Sequence, residues 1–342
     1  MKRKLRLGIN GYGRIGRCVL RAWRESPALQ DMDIVLINEP SDLETVAYLT
    51  EYDSTHGRFP GRVGRKESAL CIDGRDIPIF HTRTPDAVPW HEFKLDLLLE
   101  CSGQYGNREA LRGFIDSGCP RVLVSHPGQS AADVDRTIVY GINEGELNGG
   151  EQLVSAASCT TNAVVPVLAL LDQSYGVEHA FLTTLHSVMN DQPMIDGYHH
   201  ADLRRTRSAM QSMIPVSTGL AQGVERLLPA LAGRVQAKAI RVPVLNVSAI
   251  DLMVQLRGAP DTAELNSRLV QAAQASPGLL AWTDAQRVSV DFNHDPHSAV
   301  IDGSQTRANG RGQANLLLWF DNEWGFANRM LDVARAWLSR SV

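Results

Sequence analysis

The chain has 342 residues, of which 44% are hydrophobic and 28 are glycine, so it can bury a large core and its length favours two domains. A formal net charge of −4 excludes a general attraction to nucleic acid or to an anionic membrane surface, so an anionic ligand has to be bound by a local basic cluster. The five cysteines lie far apart without Cys-x-x-Cys spacing, which argues against a disulfide framework and a cysteine zinc site and favours a reducing compartment.

No segment has the pattern of a targeting signal or a membrane span. The N-terminal residues 1–10 are rich in basic side chains but are not followed by an apolar run of signal-peptide length. The longest apolar run, Ala163–Leu171, contains Pro166 and is far shorter than the ~20 residues that a spanning helix needs. We therefore predict a cytoplasmic protein that binds neither membrane nor nucleic acid.

The N-terminal segment predicts a strand, a glycine-rich loop and a helix in immediate succession. The apolar run Leu5–Asn10 leads into Gly-x-Gly-x-x-Gly, with glycines at Gly11, Gly13 and Gly16. In a dinucleotide-binding loop the first glycine permits the tight turn, the second lets the backbone approach the pyrophosphate, and the third allows close packing of helix and strand. The motif alone is weak, so its weight depends on the residues that follow.

An acidic residue stands where such a loop requires one. The apolar run Ile34–Ile37 predicts a second strand, and Glu39 follows it, about 20 residues beyond the glycine loop. A carboxylate at this place accepts hydrogen bonds from the ribose hydroxyls of NAD and disfavours the 2′-phosphate of NADP. The alternative is a solvated turn residue before Pro40. We predict NAD as the cofactor.

The rest of the first domain alternates between strand and helix patterns, as in a doubly wound parallel sheet. Residues 57–89 interrupt this pattern with short strands around the turn Asp73-Gly74, a hairpin signal that we interpret as an inserted excursion. The parallel pattern then returns in the strands Leu95–Glu100, Arg121–Ser125 and Thr137–Tyr140 and in the helix Asn107–Ser117. Cys101 follows one of these strands and is interpreted as loop packing.

The segment Ser-Cys-Thr-Thr-Asn at residues 158–162 places a thiol at the start of a predicted helix. Apolar residues at helical spacing extend from Thr160 to Ser174, and Ser158 or Thr160 is available as the cap. Backbone N–H groups and the helix dipole at such a start stabilise a thiolate, which makes Cys159 a candidate nucleophile. The alternative is a small buried cysteine that packs beneath the helix.

Behind this helix, long β-type runs predict a second domain built on a largely antiparallel sheet. The predicted strands are Ala180–Val188, Val235–Val242, Val244–Leu256, Val288–Asn293 and Asn315–Trp319. Residues 189–207 form a polar loop, rich in histidine and arginine, that is too long for a simple connection, and such loops are usually functional. The helical stripe Phe326–Leu338 is expected to pack on the first domain.

His186 ends the first of these runs, 27 residues after Cys159. An imidazole beside a thiol provides a base for a nucleophile. A histidine at a strand end is otherwise more often a structural residue. With a candidate nucleophile at a helix start and a dinucleotide site in the same chain, the pair indicates oxidation of an aldehyde through a thioester.

Taken together, these features resemble the glyceraldehyde-3-phosphate dehydrogenase superfamily over essentially the full chain. The motifs that carry the resemblance occur in the family's order and are INGYGRIGR (9–17), YDSTHGRF (52–59), SCTTN (158–162), TTLHS (183–187), RRTR (204–207), STG (217–219), RVP (241–243) and DNEWG (321–325). The resemblance implies an α/β protein with a Rossmann-type NAD-binding domain over residues 1–158, completed by a C-terminal helix over 323–342. An α+β catalytic domain over 159–322 and a homotetramer are also implied.

By the same resemblance, Cys159 is the nucleophile and His186 is the base that activates it. The residues implied to bind the cofactor are Gly11, Gly13, Arg14, Ile15, Gly16, Glu39, Ser125 and Asn322. Those implied to bind the substrate and its phosphate are Ser158, Thr160, Asp191, Arg205, Thr218, Gly219 and Arg241. The arginines in this set supply the local positive charge that the overall composition lacks.

Some segments depart from the glycolytic members of the superfamily. Bacterial glycolytic members carry a phosphate-contacting threonine where this chain has Met189, shortly after His186. Residues 198–203, 125–128 and 291–297 instead resemble the branch of the superfamily that oxidises erythrose 4-phosphate. This resemblance implies NAD-dependent conversion of D-erythrose 4-phosphate, a small phosphorylated aldehyde, into 4-phospho-D-erythronate in pyridoxal phosphate biosynthesis, with water as the acyl acceptor.

Other functions remain as alternatives at this point. The nearest is a phosphorylating glyceraldehyde-3-phosphate dehydrogenase, a more distant one is an NADP-dependent semialdehyde dehydrogenase, and one from another class is a non-catalytic NAD- or RNA-binding scaffold. His294 and His297, beside Asp295, also have a spacing that suits metal ligation. Pro296 between them favours a turn and the chemistry needs no metal, so we predict no metal site.

Overall fold

The computed structural model of the chain describes residues 3–199 and 202–340. The chain forms two compact units, Met1–Ser158 together with Ala327–Val342, and Cys159–Phe326. The first unit is therefore made of two separate stretches of chain, and the second unit is inserted between them. The sequence places the return to the first unit at residue 323, whereas the second unit extends to Phe326.

The first unit is built on a nine-stranded sheet and a separate two-stranded one. In chain order its strands are β1 (Leu5–Asn10), β2 (Met32–Asn38), β3 (Tyr52–Asp53), β4 (Gly57–Arg58), β5 (Val63–Lys66), β6 (Ala69–Ile72), β7 (Arg75–Phe80), β8 (Leu97–Glu100), β9 (Val122–Val124), β10 (Arg136–Thr137) and β11 (Leu153–Ser155). The large sheet has the order β10-β11-β9-β8-β1-β2-β7-β6-β5, and β3 pairs with β4. All neighbours from β10 to β7 are parallel, which confirms the Rossmann-type domain.

The helices of this unit begin where the sequence offers caps. They are α1 (Arg14–Glu25), α2 (Leu43–Glu51) and α3 (Arg108–Asp116). The Asp42 side chain accepts a hydrogen bond from the Thr45 backbone at 2.8 Å, and the Asn107 side chain accepts one from Ala110 at 2.9 Å. Such caps satisfy backbone donors that the first helical turn leaves without a partner. All residues of β2 are buried, as expected for a parallel strand covered on both faces.

The predicted hairpin is present but has a different place in the sheet. Asp73 and Gly74 adopt φ of 51° and 83°, the left-handed conformation that a two-residue turn between β6 and β7 requires. However, β7 also pairs in parallel with β2, so the hairpin extends the main sheet and is not an excursion from it. The strand predicted at Thr137–Tyr140 is also corrected, because the observed strand covers only Arg136–Thr137 and the next one, β11, was not predicted.

The second unit contains a seven-stranded mixed sheet. In chain order its elements are α4 (Cys159–Tyr175), β12 (Val177–His186), β13 (Ile214–Val216), α5 (Leu220–Leu227), β14 (Val235–Arg241), β15 (Ser248–Leu256), α6 (Thr262–Ala275), β16 (Leu280–Thr283), β17 (Ala299–Ala308) and β18 (Gln313–Phe320). The order is β13-β14-β12-β15-β18-β17-β16. The pairs β12-β14 and β16-β17 are parallel and the others antiparallel, which agrees with a largely antiparallel sheet.

One predicted strand of this unit is wrong. The run Val288–Asn293 contains a short 3-10 helix, Ser289–Phe292, instead of a strand. Val288 and Val290 are 62% and 70% exposed, and Phe292 alone of this apolar set is buried, at 1%. The run alternates between apolar and polar residues, as a strand would. However, no strand among the described residues pairs with it, so its valines are not buried. The strand predicted from Val244 begins only at Ser248, and the strands β16 and β17 were not predicted.

The last helix, α7 (Trp324–Ser339), extends beyond the predicted stripe at both ends and returns to the first unit at Ala327. Trp337 in this helix is fully buried, and the Arg121 guanidinium carbon lies 5.9 Å from the centre of its ring. Packing on the first unit is thus as expected. Among the described helices none combines the length and apolar character needed to cross a membrane.

Candidate active site

Cys159 is the first residue of α4, so its backbone lies at the positive end of the helix. Only three residues separate it from the end of β11 at Ser155, and one of them, Ala157, has a φ of 60°. This left-handed conformation costs a residue with a Cβ atom about 1–2 kcal/mol. Backbone strain of this kind is concentrated at functional sites, where a tight turn fixes the direction of a reactive side chain.

His186 is the last residue of β12, and its Nε2 atom lies 3.7 Å from the Sγ atom of Cys159. Its Nδ1 atom lies 2.8 Å from the carbonyl oxygen of Ser187. A carbonyl oxygen only accepts hydrogen bonds, so Nδ1 carries a hydrogen and Nε2 is the atom that exchanges a proton with the thiol. The strand and the helix thus bring together the nucleophile and base that the sequence suggested.

The two groups shift each other's pKa in the directions that a thiolate–imidazolium pair requires. Burial by itself raises the pKa of the Cys159 thiol, but the hydrogen bond and positive charge of His186, with a contribution from Thr160, lower it overall. Burial by itself lowers the pKa of His186, and the hydrogen bond and negative charge of Cys159 raise it overall. The pH interval in which thiolate and imidazolium coexist is therefore widened at both ends. By contrast, burial raises the pKa of the Cys101 and Cys119 thiols, which keeps them protonated.

Asp191 joins two of the arginines that the sequence assigns to phosphate binding. Its Oδ1 atom accepts a hydrogen bond from Nη1 of Arg241 at 2.7 Å, and its Oδ2 atom accepts one from Nη1 of Arg205 at 3.2 Å. The Arg241 side chain is 8% exposed, while that of Asp191 is 41% exposed. Arg205 also lies 3.9 Å from Asp202. Both guanidinium groups therefore have carboxylate neighbours without a bound phosphate.

Met189 contacts the same arginine. The Nη2 atom of Arg241 donates to the Sδ atom of Met189 at 3.4 Å, and the Met189 side chain is 47% exposed. A thioether is a weak acceptor and has no hydrogen to donate. The position therefore offers a phosphate no hydroxyl donor.

The remaining predicted phosphate ligands lie at two helix starts. Thr218 and Gly219 directly precede α5, and the Oγ1 atom of Thr218 accepts from the Leu220 backbone at 3.2 Å. Thr160 follows the nucleophile, with its Oγ1 atom 3.8 Å from the Cys159 Sγ atom, and half-buried Ser158 precedes α4. The predicted phosphate ligands therefore form two groups. The arginine group consists of Arg205, Arg241 and Asp191, and the helix-start group consists of Ser158, Thr160, Thr218 and Gly219.

Asn322 is buried and its amide is held in one orientation. Its Oδ1 atom accepts hydrogen bonds from the hydroxyls of Ser187 at 3.0 Å and Ser248 at 2.8 Å. With the oxygen occupied by two donors, the amide nitrogen is the group left to donate to a ligand. A donor suits the amide carbonyl of a nicotinamide, which agrees with the cofactor-binding role that the resemblance implies for Asn322.

The three glycines of the N-terminal loop have three different surroundings. Gly11 has a φ of 83°, and a Cβ atom there would lie 2.4 Å from the Ser102 backbone nitrogen. A Cβ atom on Gly16 would lie 2.3 Å from the Gly11 carbonyl oxygen, whereas one on Gly13 would meet nothing within 4 Å. Gly11 and Gly16 are therefore required by the protein itself, and the open space at Gly13 is available for a ligand at the start of α1.

A pocket of about 410 Å³ lies at this loop, on the carboxyl edge of the sheet of the first unit. Its lining includes Gly11, Gly13, Glu39 and Ser102. The Glu39 carboxylate accepts hydrogen bonds from the backbones of Tyr12 at 2.8 Å and Ser41 at 3.2 Å, which fixes its position on the wall.

The other predicted cofactor residues make structural contacts. The Arg14 guanidinium forms a 2.5 Å ion pair with Asp53 in the same unit. Ile15 is half-buried in the first turn of α1. The Ser125 backbone donates to the Glu100 carbonyl at 3.0 Å, at the end of β9.

Comparison with known protein families agrees with this geometry. The family model "Glyceraldehyde 3-phosphate dehydrogenase, NAD binding domain" matches residues 5–108, and "Glyceraldehyde 3-phosphate dehydrogenase, C-terminal domain" matches residues 158–322. The chain belongs to the glyceraldehyde-3-phosphate dehydrogenase superfamily. It is accordingly an NAD-dependent dehydrogenase of this family, and its first unit is the NAD-binding domain.

The residues of the first unit fit this cofactor. The unfilled space at Gly13 admits a pyrophosphate to the backbone N–H groups at the start of α1. The oriented Glu39 carboxylate presents acceptors to ribose hydroxyls. Once bound, NAD supplies the hydride acceptor that a dehydrogenase of this superfamily needs.

Sequence reasoning missed the residues that support the superfamily's site. Ser187 and Ser248 hold Asn322, but single serines inside β-type runs carry no signal of such a role. His294 and His297, considered as metal ligands, make other contacts. The His294 ring stacks on Trp324 at 3.7 Å between ring centres, and Nδ1 of His297 lies 2.7 Å from Asp295.

Proposed function

We propose that the chain oxidises D-erythrose 4-phosphate to 4-phospho-D-erythronate, with NAD as the hydride acceptor and water as the acyl acceptor, in pyridoxal phosphate biosynthesis. The observation that carries this proposal is the contact between Arg241 and the thioether of Met189. It supports a phosphate pocket that lacks the threonine hydroxyl of the glycolytic members while it keeps Arg241 and Asp191.

The Cys159 and His186 side chains carry the chemistry in this proposal. The Cys159 thiolate adds to the aldehyde carbon, and the carbonyl oxygen takes the proton of the His186 imidazolium. Neutral His186 then removes that hydroxyl proton while the C–H bond breaks and the hydrogen leaves with its electron pair. The product of this half-reaction is a thioester on Cys159.

Hydrolysis completes the cycle. After His186 has lost its proton to solvent, its Nε2 atom accepts a proton from a water molecule that attacks the thioester carbon. The C–S bond breaks, the thiolate of Cys159 is restored beside an imidazolium, and the acid dissociates to 4-phospho-D-erythronate. The backbone N–H groups at the start of α4 stabilise the negative charge that develops in both additions.

The position of the substrate phosphate explains why water acts in place of inorganic phosphate. A four-carbon substrate carries its phosphate one carbon further from the reacting carbonyl than a three-carbon one. With no hydroxyl at Met189, we place that phosphate in a shifted position near Arg205 and Thr218. A phosphate there occupies the groups that inorganic phosphate would need, so water reaches the thioester.

The proposal is tested by the rate of NADH formation in buffer free of inorganic phosphate. Erythrose 4-phosphate is expected to be oxidised there to 4-phosphoerythronate, with a kcat/KM above that for glyceraldehyde 3-phosphate. Strict dependence on added phosphate, or a preference for the three-carbon aldehyde, would assign the chain to the phosphorylating enzymes. NAD binding without NADH formation from either aldehyde would instead assign it to the non-catalytic scaffolds.

A matched pair of variants tests the part played by Met189. Met189→Thr restores one hydrogen bond to the charged phosphate, worth about 1.5–3 kcal/mol, so the preference for erythrose 4-phosphate is expected to fall at least about tenfold. Met213→Thr makes the same change at a residue that is 74% exposed and outside the arginine group. It should leave the preference unchanged. Equal effects of the two substitutions would remove Met189 from substrate selection.

We also propose that the chain works as a cytoplasmic homotetramer. The five cysteines are free, as in a reducing compartment. Loop residues Met194, Ile195 and Leu203 are apolar and 74%, 78% and 84% exposed, and contact with another copy of the chain would remove this apolar surface from water. Sedimentation should give the mass of four chains, and Ile195→Asp should shift the protein towards smaller species.

A further inference from the structure

A buried row of polar side chains lies directly behind the NAD pocket. Asn38, Asn10 and Glu100 end three neighbouring parallel strands, β2, β1 and β8, in matching register. Their exposed fractions are 4%, 4% and 0%. Asn10 and Asn38 line the pocket together with Ser102, while Glu100 is fully buried and is hydrogen-bonded to Asn10 and Ser102. The superfamily's thiol chemistry makes no use of this carboxyl group.

The hydrogen bonds along the row all point towards Glu100. The Nδ2 atom of Asn38 donates to Oδ1 of Asn10 at 2.7 Å, and Nδ2 of Asn10 donates to Oε2 of Glu100. On the other side, the Ser102 backbone donates to Oε1 at 2.8 Å, and the Ser102 hydroxyl donates to the same oxygen. Such aligned donors strengthen one another, and here they favour a carboxylate at the end of the row.

Burial nevertheless disfavours the negative charge. Desolvation raises the pKa of Glu100 to about 7, although the hydrogen bonds from Ser102 and Asn10 lower it. Among the described residues no basic side chain forms an ion pair with it. The titratable groups that sense its charge are the Cys101 thiol, which is buried, and the Tyr105 hydroxyl on the following loop. Both are acids, so neither supplies a compensating positive charge.

A proton on Glu100 can be accommodated by one local change. The carboxyl hydrogen can be donated from Oε1 to Oγ of Ser102, an atom that already accepts from the Gln104 backbone at 3.2 Å. The Ser102 hydroxyl hydrogen must then point away from Glu100. Since Ser102 lines the pocket, the same rotation offers the pocket a hydrogen-bond donor. The donors from Asn10 and from the Ser102 backbone keep their acceptors.

We propose that Glu100 takes up a proton when NAD enters the pocket, and that Ser102 thereby turns its hydroxyl from the carboxylate towards the pocket. Three effects act in the same direction. The ligand displaces water, its pyrophosphate brings negative charge near the carboxylate, and the rotated hydroxyl gains an acceptor. NAD affinity is therefore linked to pH through Glu100, which makes it a positioning residue for the cofactor.

Calorimetric titration with NAD in two buffers of different ionisation enthalpy measures the proton uptake. The wild-type protein should take up a fraction of a proton per site near pH ~7, and a rise of one pKa unit on binding corresponds to about tenfold weaker affinity at pH ~9 than at pH ~6. Glu100→Gln should remove both the proton uptake and the part of the pH dependence of NAD affinity that Glu100 causes. Glu39→Gln, the same chemical change on the pocket wall, should weaken binding and keep the uptake.

Two further measurements do not depend on how well Glu100→Gln folds. In Ser102→Ala, Glu100 loses a donor to its charged form, so the maximum of proton uptake should move to higher pH. In the wild-type protein, infrared difference spectra should gain a protonated carboxyl band on addition of NAD. The proposal is overturned if the wild-type protein takes up no proton on binding NAD, or if Glu100→Gln takes up as much as the wild type. If the pH of maximum proton uptake is unchanged in Ser102→Ala, the role proposed for Ser102 is overturned.

Discussion

Substituting alanine for Gly11 and for Gly13 should separate stability from cofactor binding. At Gly11 the left-handed backbone costs a residue with a Cβ about 1–2 kcal/mol. The contact of 2.4 Å with the Ser102 backbone adds overpacking of about 1–3 kcal/mol. Gly11→Ala is therefore expected to lower the free energy of unfolding by about 2–5 kcal/mol.

Gly13 has a φ of −73° and open space around its Cα atom. The poorer helix cap in Gly13→Ala and the reduced entropy of its unfolded chain oppose each other, so stability should stay within about 1 kcal/mol of the wild type. The added methyl group occupies the approach of the pyrophosphate, and NAD affinity should fall at least about tenfold, or 1.4 kcal/mol.

Urea unfolding and NAD titration of the same two preparations provide the measurement. Gly13→Ala with wild-type affinity would show that no phosphate approaches this backbone. Gly11→Ala with wild-type stability would contradict the physical reading of the positive φ. Loss of both properties in both variants would mean that the loop folds as a single unit and that the glycines have no separate roles.

Three more expectations concern the reaction and its cofactor. Cys159→Ser should abolish NADH formation, whereas Cys71→Ser, in the hairpin, should retain it, and the reverse result would remove the thiol mechanism. His186→Asn should lower kcat by about 10²–10⁴-fold. It should also move the alkylation of Cys159 by iodoacetamide to higher pH, because the cation that lowers the pKa of the thiol is lost. An unchanged pH dependence of alkylation would contradict the pairing of Cys159 with His186. Glu39→Ala should raise the ratio of kcat/KM for NADP to that for NAD, and an unchanged ratio would show that another residue selects the cofactor.

The sequence predicts those parts of the fold in which local chemistry and burial agree. The strand Leu5–Asn10 is observed with the predicted bounds, because an apolar run is followed at once by a glycine turn. The helix predicted from Thr160 begins one residue earlier, at Cys159, so the thiol lies in the first turn as expected. The run Val288–Asn293 has the same apolar character, but its valines face solvent and no strand pairs with it.

The reactive residues of the candidate site can be predicted from the sequence, but the packing and the contacts that position them cannot. Cys159 and His186 can be suggested from residue type and position, but their separation of 3.7 Å depends on how β12 packs beside α4. Glu100 ends an apolar strand, and its place in the sequence predicts an exposed carboxylate at the start of a loop. Only the register of β8 with β1 shows that it is covered on all sides.

The inserted arrangement of the chain bears on its synthesis. The first unit includes α7 from Ala327 onwards, and the fully buried Trp337 and Met330 belong to its core, yet these residues are translated after the entire second unit. The second unit is a continuous stretch that ends at Phe326, so it can complete its core while the rest of α7, from Ala327 onwards, is still in the ribosome. Until α7 is released, the NAD-binding unit carries an open apolar surface. Newly made chains in this interval are the ones that a chaperone would recognise.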